Sequence, residues 1–580
     1  MSTPTDPSTD PPGGPPEDRP EGRTAPRHTA AAILSSSAVM AAGTVVSRMS
    51  GLVRGILLAA ALGVGLHADV FNIANTVPNM LYILLAGGVV NAVLVPQLVR
   101  AMKDDPDGGD AYTNRIMTLA ALFLGVVTVL LVVAAPLLMR LFLDDRFYDP
   151  DRQAQLDSVV AFARYCLPQV FFYGMFVLVG QVLNARGRFG PMMWAPIANN
   201  VIAVGVLVVY LVLHGGARGP ELQGGFTPGQ ELLLGVGSTV GIVVQLLVLV
   251  PYLRSAGFRF RPRFDFRGAG LGHTLRLGLW TVLFVIVNQV AYTVVVRLAS
   301  SGTVESGPGA SGEGTGYTIY SNSFVLTMVP HSIITVSLAT AVLPLLSQHA
   351  SDGDVAAIGR QVSRTLRSAL ALVVPVAVLY AVMALDLAQV IWGYGAASRD
   401  YASFAPTLAL FGIGLVLFTA HYLALRGFYA LEQTRRVFWI QCVVAGVNIV
   451  AALLLVPGAP PGETAPRLVI AYACAYAAGV VVSYTVLART VGDLAGRQVL
   501  RFLVRLALAV GLAALLALGV REGLDALLPR GGPLLALLPL AVVGTAYLGC
   551  YLGLARLLRI GEVNDVMALV LRRLRPGTRA

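Results

Sequence analysis

Long apolar runs separated by short polar stretches dominate this chain. A membrane-crossing helix needs about 20 mostly apolar residues. Applied along the sequence, that length predicts fourteen spans, at about 33–63, 67–101, 115–143, 157–185, 191–214, 231–254, 273–300, 317–349, 365–393, 401–430, 436–457, 467–490, 500–520 and 533–558. Several exceed the minimum, so tilt, kinks or ends projecting from the bilayer are expected. The fold class that follows is an all-α polytopic membrane protein. The first 28 residues break the pattern: they are rich in Pro, Gly, Thr, Asp and Glu, and such a segment is expected to be disordered. It lacks a basic region leading directly into a short apolar core, so it does not read as a signal peptide. The first apolar run is expected to stay as a span.

Composition agrees with this reading. The 580 residues are 56% hydrophobic and only 13% charged, against about 25% charged in a soluble protein. The net charge of +11 raises nucleic acid as a partner, but its placement excludes it. With a cytoplasmic N-terminus, 30 of the 42 basic residues fall in inner segments, 8 in outer ones and 4 inside spans. That asymmetry is the positive-inside rule, and it predicts both termini in the cytoplasm. The richest run, Arg254 to Arg267, is expected to meet anionic headgroups or simply to fix topology. Cys166, Cys442, Cys474 and Cys550 lie in apolar segments without CxxC spacing and read as small core or lipid-facing residues. No nucleotide-binding glycine loop, metalloprotease motif or nucleophile elbow is present. A transporter without cofactor or metal, rather than an enzyme, is expected.

The chain also carries a weak internal repeat. Asn91-Ala92-Val93-Leu94-Val95-Pro96 resembles Thr340-Ala341-Val342-Leu343-Pro344, with the prolines 248 residues apart. The same offset relates Arg188 to Arg436 and Asn200 to Asn448, and an offset of 249 relates Arg48 to Arg297. Six spans followed by six more keep the same orientation, a parallel repeat of the kind that places substrate between two halves. The organisation expected is a disordered cytoplasmic tail over 1–28, an N-lobe over 29–254 and a basic linker over 255–272. A C-lobe over 273–490, two further spans over 491–560 and a basic cytoplasmic tail over 561–580 complete it.

Arg48 and Arg54 interrupt the first span. An arginine at the centre of a membrane helix costs about 2.5–3.5 kcal/mol on insertion scales, so two of them point to a polar cavity and an anionic cargo. Guanidinium stays charged and grips phosphate bidentately. Six residues of ideal helix leave the two about 120° apart, so they share a narrow face only if the helix bends, for example at Gly51. Asn72, Asn75 and Asn79 recur at helical spacing and form one polar stripe on the second span, which either lines the cavity or bonds to neighbouring helices. Pro78 is expected to kink that helix.

The run Ser47-Arg48-Met49-Ser50-Gly51-Leu52-Val53-Arg54, with Ala68-Asp69-Val70-Phe71, Pro78-Asn79-Met80-Leu81 and Val95-Pro96, resembles the lipid II flippases of the MurJ/MviN family. That family belongs to the multidrug/oligosaccharidyl-lipid/polysaccharide exporter superfamily. Leu338 to Pro344 and Gly427-Phe428-Tyr429-Ala430 extend the likeness, which covers about 30 to 560. The resemblance implies fourteen spans in two lobes. It also implies a bacterial plasma-membrane location and transfer of the undecaprenyl-pyrophosphate-linked peptidoglycan precursor, lipid II, between leaflets by alternating access. Membrane lipids and other cell-wall synthesis proteins are the further partners it suggests. There are departures. Many relatives carry two basic residues where this chain has Tyr82-Ile83, Glu-Gly where it has Gly87-Gly88, and an arginine in the eighth span, where Tyr320 to Phe324 has none.

The residues expected to bind substrate are Arg48, Arg54, Asn72, Asn75, Asn79 and Arg297. Asp69 is expected either to cap its own helix or to gate the site through an ion pair with one of the arginines. Asp386 and His331 are weaker candidates for coupling to a cation or proton, and Arg164 for a site nearer the outer face. Two rival functions remain: an exporter of another polyprenyl-linked glycolipid or small molecule, and a non-transporting scaffold of envelope synthesis.

Overall fold

The computed structural model describes residues 30–84, 107, 109–265, 271–304, 314–492, 494–527 and 531–564. They form helices joined by short turns, and thirteen of the helical stretches are long and apolar enough to cross a membrane. The second predicted span appears as α2 (Leu66–Ile83) after α1 (Ala30–Leu62). Its continuation, with the repeat segment at 91–98, lies outside the described residues. Next come α3 (Asp110–Val133), α4 (Ala135–Phe142), α5 (Gln153–Cys166), α6 (Gln169–Ala185), α7 (Gly190–His214), α8 (Pro228–Leu247) and α9 (Leu249–Ser255). Then follow α10 (Leu271–Val304), α11 (Tyr317–Pro330), α12 (Val336–Ser351), α13 (Val355–Val382), α14 (Ala384–Trp392) and α15 (Phe404–Ala430). The last four are α16 (Thr434–Leu455), α17 (Thr464–Val491), α18 (Gly496–Leu527) and α19 (Leu537–Leu557).

Several expected single spans are broken, and proline accounts for most of the breaks. Pro136 opens α4 and Pro168 precedes α6, because a proline ring displaces the preceding turn and has no amide hydrogen to donate. After Pro330 the chain makes one π-helical turn, His331–Thr335, before α12 begins. By contrast, α2 runs through Pro78 without interruption and α1 through Gly51. The turn between α1 and α2 rests on Gly63, whose φ of +78° suits glycine in the left-handed region.

A proline inside a helix also strands the carbonyl four residues earlier, and at two such prolines in this protein a tyrosine supplies the missing donor. Pro375 in α13 leaves the carbonyl of Ala371 without its helical partner, and the Tyr551 hydroxyl of α19 donates to it at 2.6 Å. The Tyr547 hydroxyl donates to the carbonyl of Pro375 itself at 3.0 Å. Pro330 strands Leu326, whose carbonyl accepts from Tyr380 at 3.2 Å. A buried acceptor left unmade costs about 1–3 kcal/mol. Tyr551→Phe is therefore expected to destabilise the docking of α19 on α13 by about 1–2 kcal/mol, measured as a lower thermal midpoint in detergent with the oligomeric state unchanged.

The buried apolar side chains are not distributed evenly. One cluster joins residues from both parts of the chain, from Ala59 to Met80 on one side and Val295, Tyr317, Trp392, Phe404 and Leu468 on the other. Two further clusters each stay on one side: one runs from Ile116 to Phe258, the other from Leu346 to Leu494. The two parts thus share a core at the end where α1 meets α2 and have separate cores toward the other end. α7 is tied to α1 through Asn200, which donates to the carbonyl of Ser47 at 3.0 Å and the hydroxyl of Ser50 at 2.9 Å. α16 is tied to α10 by Gln441, which donates to Asn288 at 2.8 Å.

After α9 an extended strap lies along α3. The Arg261 amide donates to Asn114 at 2.6 Å and the Arg263 amide to Thr118 at 3.0 Å. Arg115 bonds Asp265 at 2.5 Å and holds that exposed carboxyl down to about 2. Asp386 of α14 is engaged by Arg521 of α18 at 3.2 Å, and Arg521 also donates to the Val382 carbonyl. The pair knits α18 to the bundle. All four cysteines are free, with Cys166 buried and Cys474 exposed.

Candidate functional site

A cavity of about 290 Å³ lies between α1, α2, α6, α7, α8 and α11. Arg54, with Gly51 and Gly55, comes from α1, and Asn72, Asn75 and Asn79 from α2. Gln169 and Tyr173 belong to α6, and Tyr317, Ser321 and Asn322 to α11. The amide stripe of the second span therefore faces a cavity. Arg54 is the one cation among the lining residues, and no Asp or Glu lines it. Among the described residues Arg54 is half-buried and makes no ion pair. An accessible guanidinium surrounded by carboxamides and hydroxyls is an anion-binding arrangement, since each neighbour can donate to oxygen.

Two of the amides are already engaged. Asn72 donates to the Thr318 hydroxyl at 2.9 Å, and Gln169 donates to the Asn75 carbonyl oxygen at 3.1 Å. Asn79 is exposed. Thr76 continues the stripe and meets the Tyr317 hydroxyl at 2.6 Å, which in turn meets that of Tyr292 at 2.9 Å. This hydroxyl chain joins α2 to α10 and α11.

Arg48 stands apart. It does not line the cavity and is exposed; it sits about 120° around the helix from Arg54. Arg426 stacks 4.1 Å from the centre of the Tyr422 ring. Arg297 also lies away from the cavity. Its guanidinium pairs with Asp145 at 2.8 Å and donates to the Arg140 carbonyl at 2.6 Å. His331 meets the Thr419 hydroxyl at 3.1 Å and packs against Phe418.

Asp69 is fully buried, and it neither caps its own helix nor pairs with an arginine. The cap position of α2 is Gly65. The Asp69 carboxylate instead reaches across to the start of α11. It accepts from the amides of Tyr317 at 3.0 Å and Thr318 at 2.7 Å, and from the Thr303 hydroxyl at 2.8 Å. First-turn amides of a helix have no partners inside it, and the helix dipole favours an anion there. Gly316 makes the approach possible: a Cβ at that position would collide with the Asp69 carboxylate and the Thr303 side chain. Tyr317, Thr318, Thr303 and Gly316 were not singled out from the sequence. The available signal was a Gly-Tyr-Thr sequence opening an apolar run, which reads as an ordinary helix start.

No group of three or more potential metal ligands occurs among the described residues.

Comparison with known proteins follows the same line. The family model described as lipid II flippase MurJ matches residues 58–528. A probable lipid II flippase MurJ of Haemophilus influenzae is 25% identical over 430 residues, covering 71% of this chain and 79% of that protein. One from Thermotoga maritima is 25% identical over 415 residues, covering 71% and 77%. Among solved structures, a lipid II flippase MurJ in an inward closed conformation superposes with a TM-score of 0.67 at 16% identity, covering 90% of this chain and 99% of that one. An inward-facing multidrug resistance MATE family transporter of the MOP superfamily superposes at 0.57 and 14% identity, covering 77% and 95%. At these identities the superpositions establish a shared fold.

Proposed function

The chain belongs to the lipid II flippase MurJ family, and from that premise we propose that the cavity beside Arg54 takes the pyrophosphate of lipid II. The single observation that carries this is the lining itself: one accessible guanidinium, five asparagines and no carboxylate. A cationic drug would need acidic walls, so that cargo is disfavoured. At about 290 Å³ the cavity is at the lower limit of small-molecule sites. It suits the diphosphate end of the headgroup, with the remaining sugar and peptide in the open space beyond and the polyprenyl tail in lipid. Arg48 lies six residues, about 9 Å, nearer the N-terminal end of α1. It acts first on an anion arriving from that side.

In this reading the protein is a transporter of the bacterial plasma membrane with both termini cytoplasmic, an orientation supported by the distribution of basic residues. Residues 29–254 and 273–490 act as lobes joined by the 255–272 linker, with 491–560 and the tail to 580 appended. The shared core and the Asp69 bonds close the outer end, and the separate cores leave the inner end free to part. Asp69 is the gating residue, through the amides of α11 rather than through an arginine. Rocking of the lobes then carries the headgroup outward. One charge crossing 100 mV is worth about 2.3 kcal/mol, which is enough to bias such a cycle without a bound nucleotide.

The test is native mass spectrometry of the purified protein with lipid II and with an undecaprenyl lipid lacking the pyrophosphate. Selective retention of lipid II is expected, and equal retention of the two lipids would overturn the reading.

A further inference from the structure

A second cavity, of about 640 Å³, lies between α4 and α5, away from the central one. Two arginines line it. Arg140 sits on α4 and Arg164 on α5, with Leu137, Leu156 and Val160 forming apolar walls. Side chains on a helix lean toward its N-terminus. The two helices run in opposite directions through the same layer, so Arg140 leans down from the end of α4 while Arg164 leans up from within α5. The two guanidiniums converge on one groove. Neither forms an ion pair among the described residues. Arg140 stacks 5.6 Å from the centre of the Tyr148 ring, and Asp157, the one carboxylate lining the groove, accepts from Gln153 at 2.8 Å.

The surroundings are apolar and exposed. Leu137 is 68% exposed and Val133, one turn earlier, 75%. Arg164 lies eleven residues into α5, about 16 Å of helix from its start, and is itself exposed. An arginine at that depth needs an anion or a path to water. Two guanidiniums and one carboxylate leave a net single positive charge, complementary to a phosphodiester, and the apolar walls continue toward the acyl-chain region.

We propose that this groove binds the headgroup of an anionic glycerophospholipid of the outer leaflet, such as phosphatidylglycerol, its phosphodiester held between Arg140 and Arg164. The site adjoins the joint between the two parts of the chain, because Arg297 of α10 donates to the backbone carbonyl of Arg140. An occupying lipid therefore stabilises α4 where α10 rests on it. A zwitterionic lipid brings its own cation into a groove that is already positive and is held less well.

The test uses the full-length protein in detergent and native mass spectrometry, with phosphatidylglycerol, phosphatidylcholine or inorganic phosphate added. Wild type is expected to retain one phosphatidylglycerol at least tenfold more strongly than Arg140→Gln/Arg164→Gln, with phosphatidylcholine held weakly by both. Val160→Trp fills the groove and leaves both charges in place; it is expected to lose the lipid as well. Lipid II binding at the central cavity should persist in all of these proteins and serves as the check on folding. Equal phosphatidylglycerol retention by wild type and the double variant would overturn the proposal. So would undiminished retention by Val160→Trp, which would indicate diffuse charge attraction. Displacement of the lipid by equimolar inorganic phosphate would also overturn it, by assigning the arginines to a free anion.

Discussion

Asp69→Ala is expected to unlatch the outer end of the protein. The substitution leaves two first-turn amides of α11 and the Thr303 hydroxyl without their buried acceptor. Each orphaned donor costs about 1–3 kcal/mol, and a carboxylate at a helix N-terminus contributes a further 0.3–1 kcal/mol or so. In an outward-open state water solvates the same groups, so the loss falls on the closed state. A conservative total of about 3 kcal/mol shifts the closed-to-open ratio roughly a hundredfold. Asp69→Asn should shift it less, since one carboxamide oxygen still accepts while the amide nitrogen meets a second donor. The measurement is labelling of Asn72→Cys by a membrane-impermeant thiol reagent added from outside, in a cysteine-free background. A large rise in labelling rate is expected for Asp69→Ala, and an unchanged rate would show that the latch contributes little. Gly316→Ala should reproduce the effect, because its methyl group occupies the space of the carboxylate.

Arg54→Ala is expected to weaken lipid II binding by about two orders of magnitude. Removing one partner of a buried, hydrogen-bonded charge pair costs about 2–5 kcal/mol, and the lining offers no second cation to substitute. Arg54→Lys keeps the charge but loses the planar fork that matches two phosphate oxygens, so it should fall between wild type and Arg54→Ala. Titration of each variant with lipid II, scored against the lipid without pyrophosphate, reads the difference. Loss of affinity for both lipids alike would mean that Arg54 shapes the cavity rather than recognising the anion.

The sequence revealed the fold where a single physical rule sufficed. Apolar length located the spans, and thirteen of them recur as long apolar helices, while α2 is the described part of the other. Helical spacing placed Asn72, Asn75 and Asn79 on one face, and that face lines the cavity. The 120° between Arg48 and Arg54 left open whether both face one wide cavity; α1 is unbroken between the two, and only Arg54 lines the central cavity. What the sequence hid was every interaction made with a backbone group far along the chain. The Asp69 acceptors lie on amides 248 and 249 residues away, and an amide leaves no mark on composition. Arg297 was matched to Arg48 by a repeat offset, but its neighbours are Asp145 and the Arg140 carbonyl, which the offset does not encode. The stranded carbonyls of Ala371 and Leu326 follow from Pro375 and Pro330, yet nothing local names Tyr551 or Tyr380 as their donors.

The most direct test of the central claim is translocation of fluorescent lipid II in vesicles containing only this protein, with Asn72→Cys and Thr318→Cys bridged by a short cleavable bis-thiol reagent. These two side chains face each other at the end where α1 meets α2, the end proposed to close outward, 2.9 Å apart in the native pair. Translocation is expected before bridging, slower than in wild type because Asn72 no longer contributes to the lining, to stop when the bridge forms and to return when it is cleaved, and to be absent throughout in Arg54→Ala. Continued translocation with the outer end bridged, or a wild-type rate without Arg54, would contradict the account.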